Sequence, residues 1–173
     1  MTRKFLFLCF TYLLISQLTI AQATYRLLGK TVTLNGVVTF DGKSSGEGGT
    51  LYKMFLDFNP ETMTFDFADV STFGTTPGTE YKRYWIPLAD VDSEYFSELD
   101  NALSDGYDLY NKSYWNIAFH AKDGKKFKYI EEGDYFSKGS TEGADDITFV
   151  VFEDKDKAIE FHGLVVKMFK ELK

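Results

Sequence analysis

The chain has 173 residues, of which 44% are hydrophobic and 26% charged, with 14 glycines and only 3 prolines. That balance excludes disordered, collagen-like and low-complexity classes. Cys9 is the only cysteine, which excludes a disulfide scaffold, and a formal net charge of −7 without a basic run argues against nucleic acid or an anionic membrane surface as partner.

The N-terminus reads as a secretory signal peptide over residues 1–23. Thr2-Arg3-Lys4 supplies a positive start, Phe5 to Ile15 an apolar run, and Ala21-Gln22-Ala23 small residues at the spacing a signal peptidase cleaves. The apolar run is shorter than the ~20 residues of a membrane-spanning helix, and cleavage after Ala21 and after Ala23 are both readable. Loss of Arg3 and Lys4, and of no acid, takes the net charge to −9. The remaining chain, 24–173, shows neither a repeat nor a Pro-rich linker and is expected to be one domain without disulfides, exported to a bacterial envelope.

The first predicted element after the leader is a hairpin over Thr31 to Phe40, turning at Asn35-Gly36. The Gly-rich stretch Ser44 to Gly49 lacks the lysine of a phosphate loop and reads as a connection. Leu51 to Phe67 forms a clearer hairpin around Asn59-Pro60-Glu61-Thr62, where proline presets the turn. With that loop Phe58 faces Met63, Leu56 faces Phe65 and Met54 faces Phe67 on one apolar face. Lys53, Phe55, Asp57, Thr64 and Asp66 lie on the other, mostly polar, face.

Tyr81 to Leu88 reads as a strand that Pro87 confines to an edge or a terminus. Ser93 to Ser104 reads as a short helix, capped by Ser93 and stopped by Asp105-Gly106. Trp115 to Glu131 forms a hairpin with a three-residue loop, Lys122-Asp123-Gly124, pairing Phe119 with Phe127 and Ile117 with Tyr129. Ile147 to Phe152 is a last strand. Beyond it Asp154 caps an amphipathic helix on which Ala158, Phe161, Val165, Met168 and Leu172 recur at spacings of three and four. The expected fold class is α+β, mainly β: an antiparallel meander or small barrel closed by a C-terminal amphipathic helix.

Trp85-Ile86-Pro87-Leu88, the Asp123-Gly124 turn and the strand and helix from Phe149 to Leu172 together resemble the layout of pleckstrin-homology-like barrels. A lipocalin-like barrel shares the same order of elements. Either resemblance implies little about activity, because such folds host many unrelated functions.

Chemistry-bearing patterns are few. The mature part has no cysteine and no Gly-x-Ser-x-Gly elbow. His162 falls inside the apolar arc of the last helix, as a packed histidine does, and His120 sits on a strand. Their spacing is not that of a zinc site. Asp90, Asp92 and Glu94 alternate as calcium ligands do, without the glycine and distal glutamate of an EF-hand loop. Asp57 and Asp66 share a strand face and are the candidate carboxylate pair of a hydrolase.

No cofactor or metal is indicated. The remaining oddity is aromatic: Tyr81, Tyr84, Trp85, Tyr107, Tyr110, Tyr114 and Trp115 stand close together in sequence, with Tyr95 and Phe96 among them. Tyr and Trp suit half-wet surfaces that meet a protein or carbohydrate partner. Three expectations follow: a non-catalytic binding domain using those aromatics, a lipocalin-like carrier of a small apolar ligand, and, last, a carboxylate hydrolase.

Overall fold

The computed structural model describes residues 20–43, 49–73, 78–106, 113–134 and 139–172. Five strands come first: β1 (Ile20–Leu27), β2 (Lys30–Lys43), β3 (Leu51–Asn59), β4 (Thr64–Phe73) and β5 (Gly78–Pro87). A 3-10 turn at Leu88–Asp90 and two short helices, α1 (Ser93–Ser97) and α2 (Leu99–Ala102), follow. Then come β6 (Leu103–Gly106), β7 (Tyr114–His120), β8 (Phe127–Gly133), β9 (Gly139–Asp145), β10 (Ile147–Phe152) and the terminal helix α3 (Lys155–Leu172). Seven strands form a curled antiparallel sheet in the order β1-β2-β3-β4-β5-β8-β9, a half-barrel, and three form a smaller sheet in the order β10-β7-β6. The fold is therefore α+β, mainly β: an antiparallel meander with a C-terminal amphipathic helix. Among the described residues no helix is long and apolar enough to cross a membrane.

Three turns differ from the sequence reading. Asn35-Gly36 is not a turn: β2 runs straight through it, and the reversal lies earlier, at Leu28 and Gly29, whose φ of 49° and 75° are left-handed. Gly36 answers a close approach instead, since a Cβ there would stand 2.9 Å from the Leu56 carbonyl oxygen. In the β3–β4 hairpin the loop is Pro60 to Met63, because the Asn59 side chain accepts from the Glu61 and Thr62 amides and Met63 turns left-handed at φ 51°. Phe58 consequently faces Phe65, and Met54 faces Asp69. The pairing moves by two residues, so every side chain keeps its expected face.

The expected β7–β8 hairpin is the larger correction. These strands belong to different sheets and do not pair. His120 pairs with Ile147 and Phe127 with Asp145, so the six residues Ala121 to Lys126 oppose Asp146 alone. The chain leaves the Asp123-Gly124 turn heading along the same β9–β10 ribbon it entered on. The excursion is tied down by Lys122 N donating to Asp90 O at 2.9 Å and Ala121 N to Asp146 O at 2.8 Å. Phe119 and Phe127 still share the core, but across the fold rather than across a ladder.

The single helix expected over Ser93 to Ser104 is two short ones. Asp92, not Ser93, is the cap, its Oδ1 accepting from the Glu94 and Tyr95 amides, and Glu98 breaks the helix with an extended backbone. Leu103 then leaves the helix to pair with Ile117 in the small sheet, where strand pairing outweighs local helical preference. The terminal helix is capped by Asp154, whose Oδ1 accepts from the Asp156 and Lys157 amides. The strand at Tyr81 to Leu88 ends at Pro87 as expected and sits inside the sheet, between β4 and β8.

The main core lies between the two sheets. Met54, Leu56, Phe58, Phe65, Phe67, Ile86 and Phe127 of the large sheet meet Ile117, Phe119, Val150 and Phe152 of the small one. Ala158, Phe161, Val165, Met168 and Phe169 of α3 and Phe96 of α1 close it. Phe161 packs edge-on to Phe65 at 5.3 Å, and Phe96 lies 4.7 Å from Phe119. The opposite face of the large sheet, expected to be mostly polar, carries a second core of Leu27, Leu34, Phe55, Ala68, Val70 and Tyr81. The sheet curls until β1 approaches β5, so it covers its own second face. Ala21 and Ala23, within the stretch read as leader, pack against that second core.

Two substitutions test these packing assignments in urea unfolding. Phe119→Ala, in the fully buried ring cluster, is expected to cost about 3–5 kcal/mol. Gly36→Ala, which presses a methyl against the Leu56 carbonyl, is expected to cost about 1–3 kcal/mol.

Candidate functional site

Among the described residues, Tyr81, Tyr84, Trp85, Tyr114 and Trp115 are distributed over more than one face. Strand alternation sends Tyr81 and Trp85 to the second-core face of β5 and Tyr84 to the other. Tyr81 is buried, and loss of solvent pushes its hydroxyl pKa up. Trp85 has the Arg83 guanidinium 5.3 Å from its ring. Tyr84 rests on Tyr129 at 5.3 Å and donates to Asp145 Oδ2 at 2.8 Å. Burial and that bond raise its pKa well above a free tyrosine's.

On the small sheet Tyr114 lies 6.1 Å from Phe40, and Trp115 carries the Lys155 ammonium 4.4 Å from its ring. The Tyr95 ring lies tilted against His120 at 4.1 Å and Phe96 is buried. Tyr107 and Tyr110 lie outside the described residues, as does all but Gly49 of the Gly-rich stretch. His162 is packed, its Nε2 donating to the Phe96 carbonyl at 2.7 Å, which pins α3 to α1.

The carboxylate candidates are engaged elsewhere. Asp57 and Asp66 are direct partners in the β3–β4 ladder and line a small polar cavity of about 100 Å³ with Thr33, Asn35 and Arg83. Arg83 forks onto both oxygens of Asp66, Nε reaching Oδ1 at 2.6 Å. The fork raises the Arg83 pKa and holds the guanidinium charged. Asp57 Oδ1 accepts from the Phe58 amide at 2.8 Å. Asp92 caps α1, and Asp90 pairs with Lys125 at 3.6 Å. Among the described residues no three His, Cys, Asp or Glu side chains are arranged to hold a metal.

What the fold does present is an apolar groove of about 230 Å³ where α3 lies along the edge of the main core. Val37, Leu56, Phe58 and Phe65 form its sheet wall, and Phe161 and Leu164 its helix wall. Lys157, Glu160 and Lys167 stand at the rim. Lys157, Glu160, Phe161, Leu164 and Lys167 recur at intervals of three and four, one stripe of α3.

Gly163 also lines the groove, in the middle of that helix, and a Cβ on it would meet nothing within 4 Å. No packing demand explains a glycine there, and relative to alanine it costs the helix about 1 kcal/mol. An unpaired glycine within a strongly periodic helix is the sequence signal that marks this site.

A second feature that sequence reasoning missed is Asp69. The β3–β4 register puts it on the main-core face, beyond Phe65 and Phe67, between Met54 and Lys82 in the ladder. Its Oδ1 is enclosed without a hydrogen-bond partner. The neighbouring Lys82 ammonium lies instead 4.2 Å from the Tyr129 ring centroid and 3.7 Å from Glu131. Burial pushes the Asp69 carboxyl up to about 6, with Lys82 opposing. The phase of Phe65, Phe67 and Asp69 carried that placement, since an acid falls in step with two core rings.

No protein-family model matches this chain, and neither a curated protein nor a solved structure does.

The folded state holds the Asp69 proton more tightly than the unfolded chain, so stability falls as pH rises from about 4 to about 6. Asp69→Asn removes that term. Relative to the parent it is expected to gain about 2–3 kcal/mol between pH 4 and pH 7, read from urea midpoints across that range. A difference that stays flat with pH contradicts the assignment.

Proposed function

We propose that this chain is an exported, non-catalytic binding domain that takes a small apolar or amphiphilic molecule in the groove between α3 and the sheet. The observation that carries the reading is Gly163, a destabilising residue over open space that leaves an otherwise continuous helix face unfilled. The aromatic rings and aliphatic side chains of the walls suit a dry ligand surface, and the charged rim suits a ligand with one polar end.

A dry cavity of about 150 Å³ accepts benzene, so about 230 Å³ corresponds to about nine carbon atoms. This differs from a lipocalin-like carrier in where the ligand lies. The interior is packed by Met54, Phe58, Phe65, Phe119, Phe161 and Phe169, all buried, whereas the groove is open along the helix.

Titration of the chain with octan-1-ol, followed by calorimetry or by NMR shifts of the Leu164 and Val37 methyl groups, tests the reading. Gly163→Leu fills open space and adds helix propensity, so the fold is expected to keep or gain stability while affinity drops at least about tenfold. Failure of the parent to take up octan-1-ol, or equal affinity in Gly163→Leu, refutes the proposal.

A further inference from the structure

We infer that the occupant of the groove is a free medium-chain carboxylate, its tail on the apolar walls and its carboxylate at Lys157, an assignment that rests on the groove being the binding site. Three charged side chains stand at the rim, and they are not equivalent. Lys167 already has an interaction of its own. Glu160 stands one turn along α3 from Lys157 and makes no ion pair with it. The Lys157 ammonium is exposed and, among the described residues, has neither a carboxylate within ion-pair distance nor a hydrogen-bond acceptor.

Lys157 also lies in the first turn of an 18-residue helix, where its own amide donates to Asp154 Oδ1 at 3.2 Å and its ammonium is left, among the described residues, without a partner. Lys155, in the same turn, has its charge over the Trp115 ring. Lys157 has no such contact, so its ammonium is left at that end of the groove to meet an anionic head. A cationic head would find there a like charge, and an uncharged head would leave Lys157 as it stands. Tail and head requirements together describe an aliphatic monocarboxylate of about nine carbons.

Three ligands with the same tail separate the head from the groove: octan-1-ol, octanoate and octylammonium, titrated into the full chain at pH 7 and low salt. Octanoate is expected to bind about three- to fivefold more tightly than octan-1-ol, the range of an exposed ion pair. That advantage is expected to shrink as salt is added. Lys157→Gln should abolish it, so that octanoate and octan-1-ol then bind alike. Equal binding of octanoate and octan-1-ol, tightest binding of octylammonium, or an octanoate preference that survives in Lys157→Gln overturns the head-group assignment and leaves the groove reading standing. Uptake of none of the three overturns both.

Discussion

Strands β3 and β4 are apolar on both faces, and that constraint organises the rest of the molecule. Met54, Leu56, Phe58, Phe65 and Phe67 point one way, and Phe55, Ala68 and Val70 the other. A sheet with two dry faces needs a cover on each, at roughly 25 cal/mol for every square ångström of apolar surface taken from water. One cover comes from outside the sheet, in the small sheet and α3. The other comes from the sheet itself, which curls so that Leu27 and Leu34 of the β1–β2 arm close over Phe55 and Tyr81.

Closing the first face requires the chain to change sheets without losing its hydrogen bonds. The change happens at Asp146, where six residues of one strand pair face a single residue of the other. Backbone groups freed by the excursion are taken up by the Leu88 to Asp92 segment: Lys122 donates to Asp90 and Asp92 to His120. At the far end of β10, Glu153 N donates to Thr39 O, at the place where the β2–β3 register slips between Val38 and Phe40. The half-barrel is thus fastened at both ends of β10. The helix that follows it lies over the core edge, with His162 hydrogen-bonded to α1 and Phe161 set among Phe65, Phe119 and Phe152.

That seating explains why a groove persists beside so tightly packed an interior. Phe161, Val165 and Met168 turn into the core, while the neighbouring stripe of Lys157, Glu160 and Leu164 hangs over the sheet edge at Val37 and Leu56. Filling that space needs one larger residue, and position 163 carries the smallest. Asp69 presents a comparable departure from local consistency, a carboxylate in step with core rings. Such departures are where function or strain is expected in a fold whose other choices agree.

The sequence alone determined the elements whose periodicity is strong and self-contained: the C-terminal helix with its Asp154 cap, the Ile147 to Phe152 strand, and the face assignment of Met54 to Phe67. Each depends only on a repeat of two or of about four residues and on a local cap or turn. Tertiary structure decided what those faces meet. Phe119 and Phe127 read as cross-strand partners because both are apolar and flank Asp123-Gly124, yet pairing is chosen by whichever strands bury most surface together, and those were β10 and β5. For the same reason Asn35-Gly36 passed from turn to close approach, and Tyr81 and Trp85 part from Tyr84 on opposite faces of β5. The groove's walls belong to this second category, since Val37, Leu56 and Gly163 lie on three distant segments whose proximity comes from how the helix seats on the curled sheet.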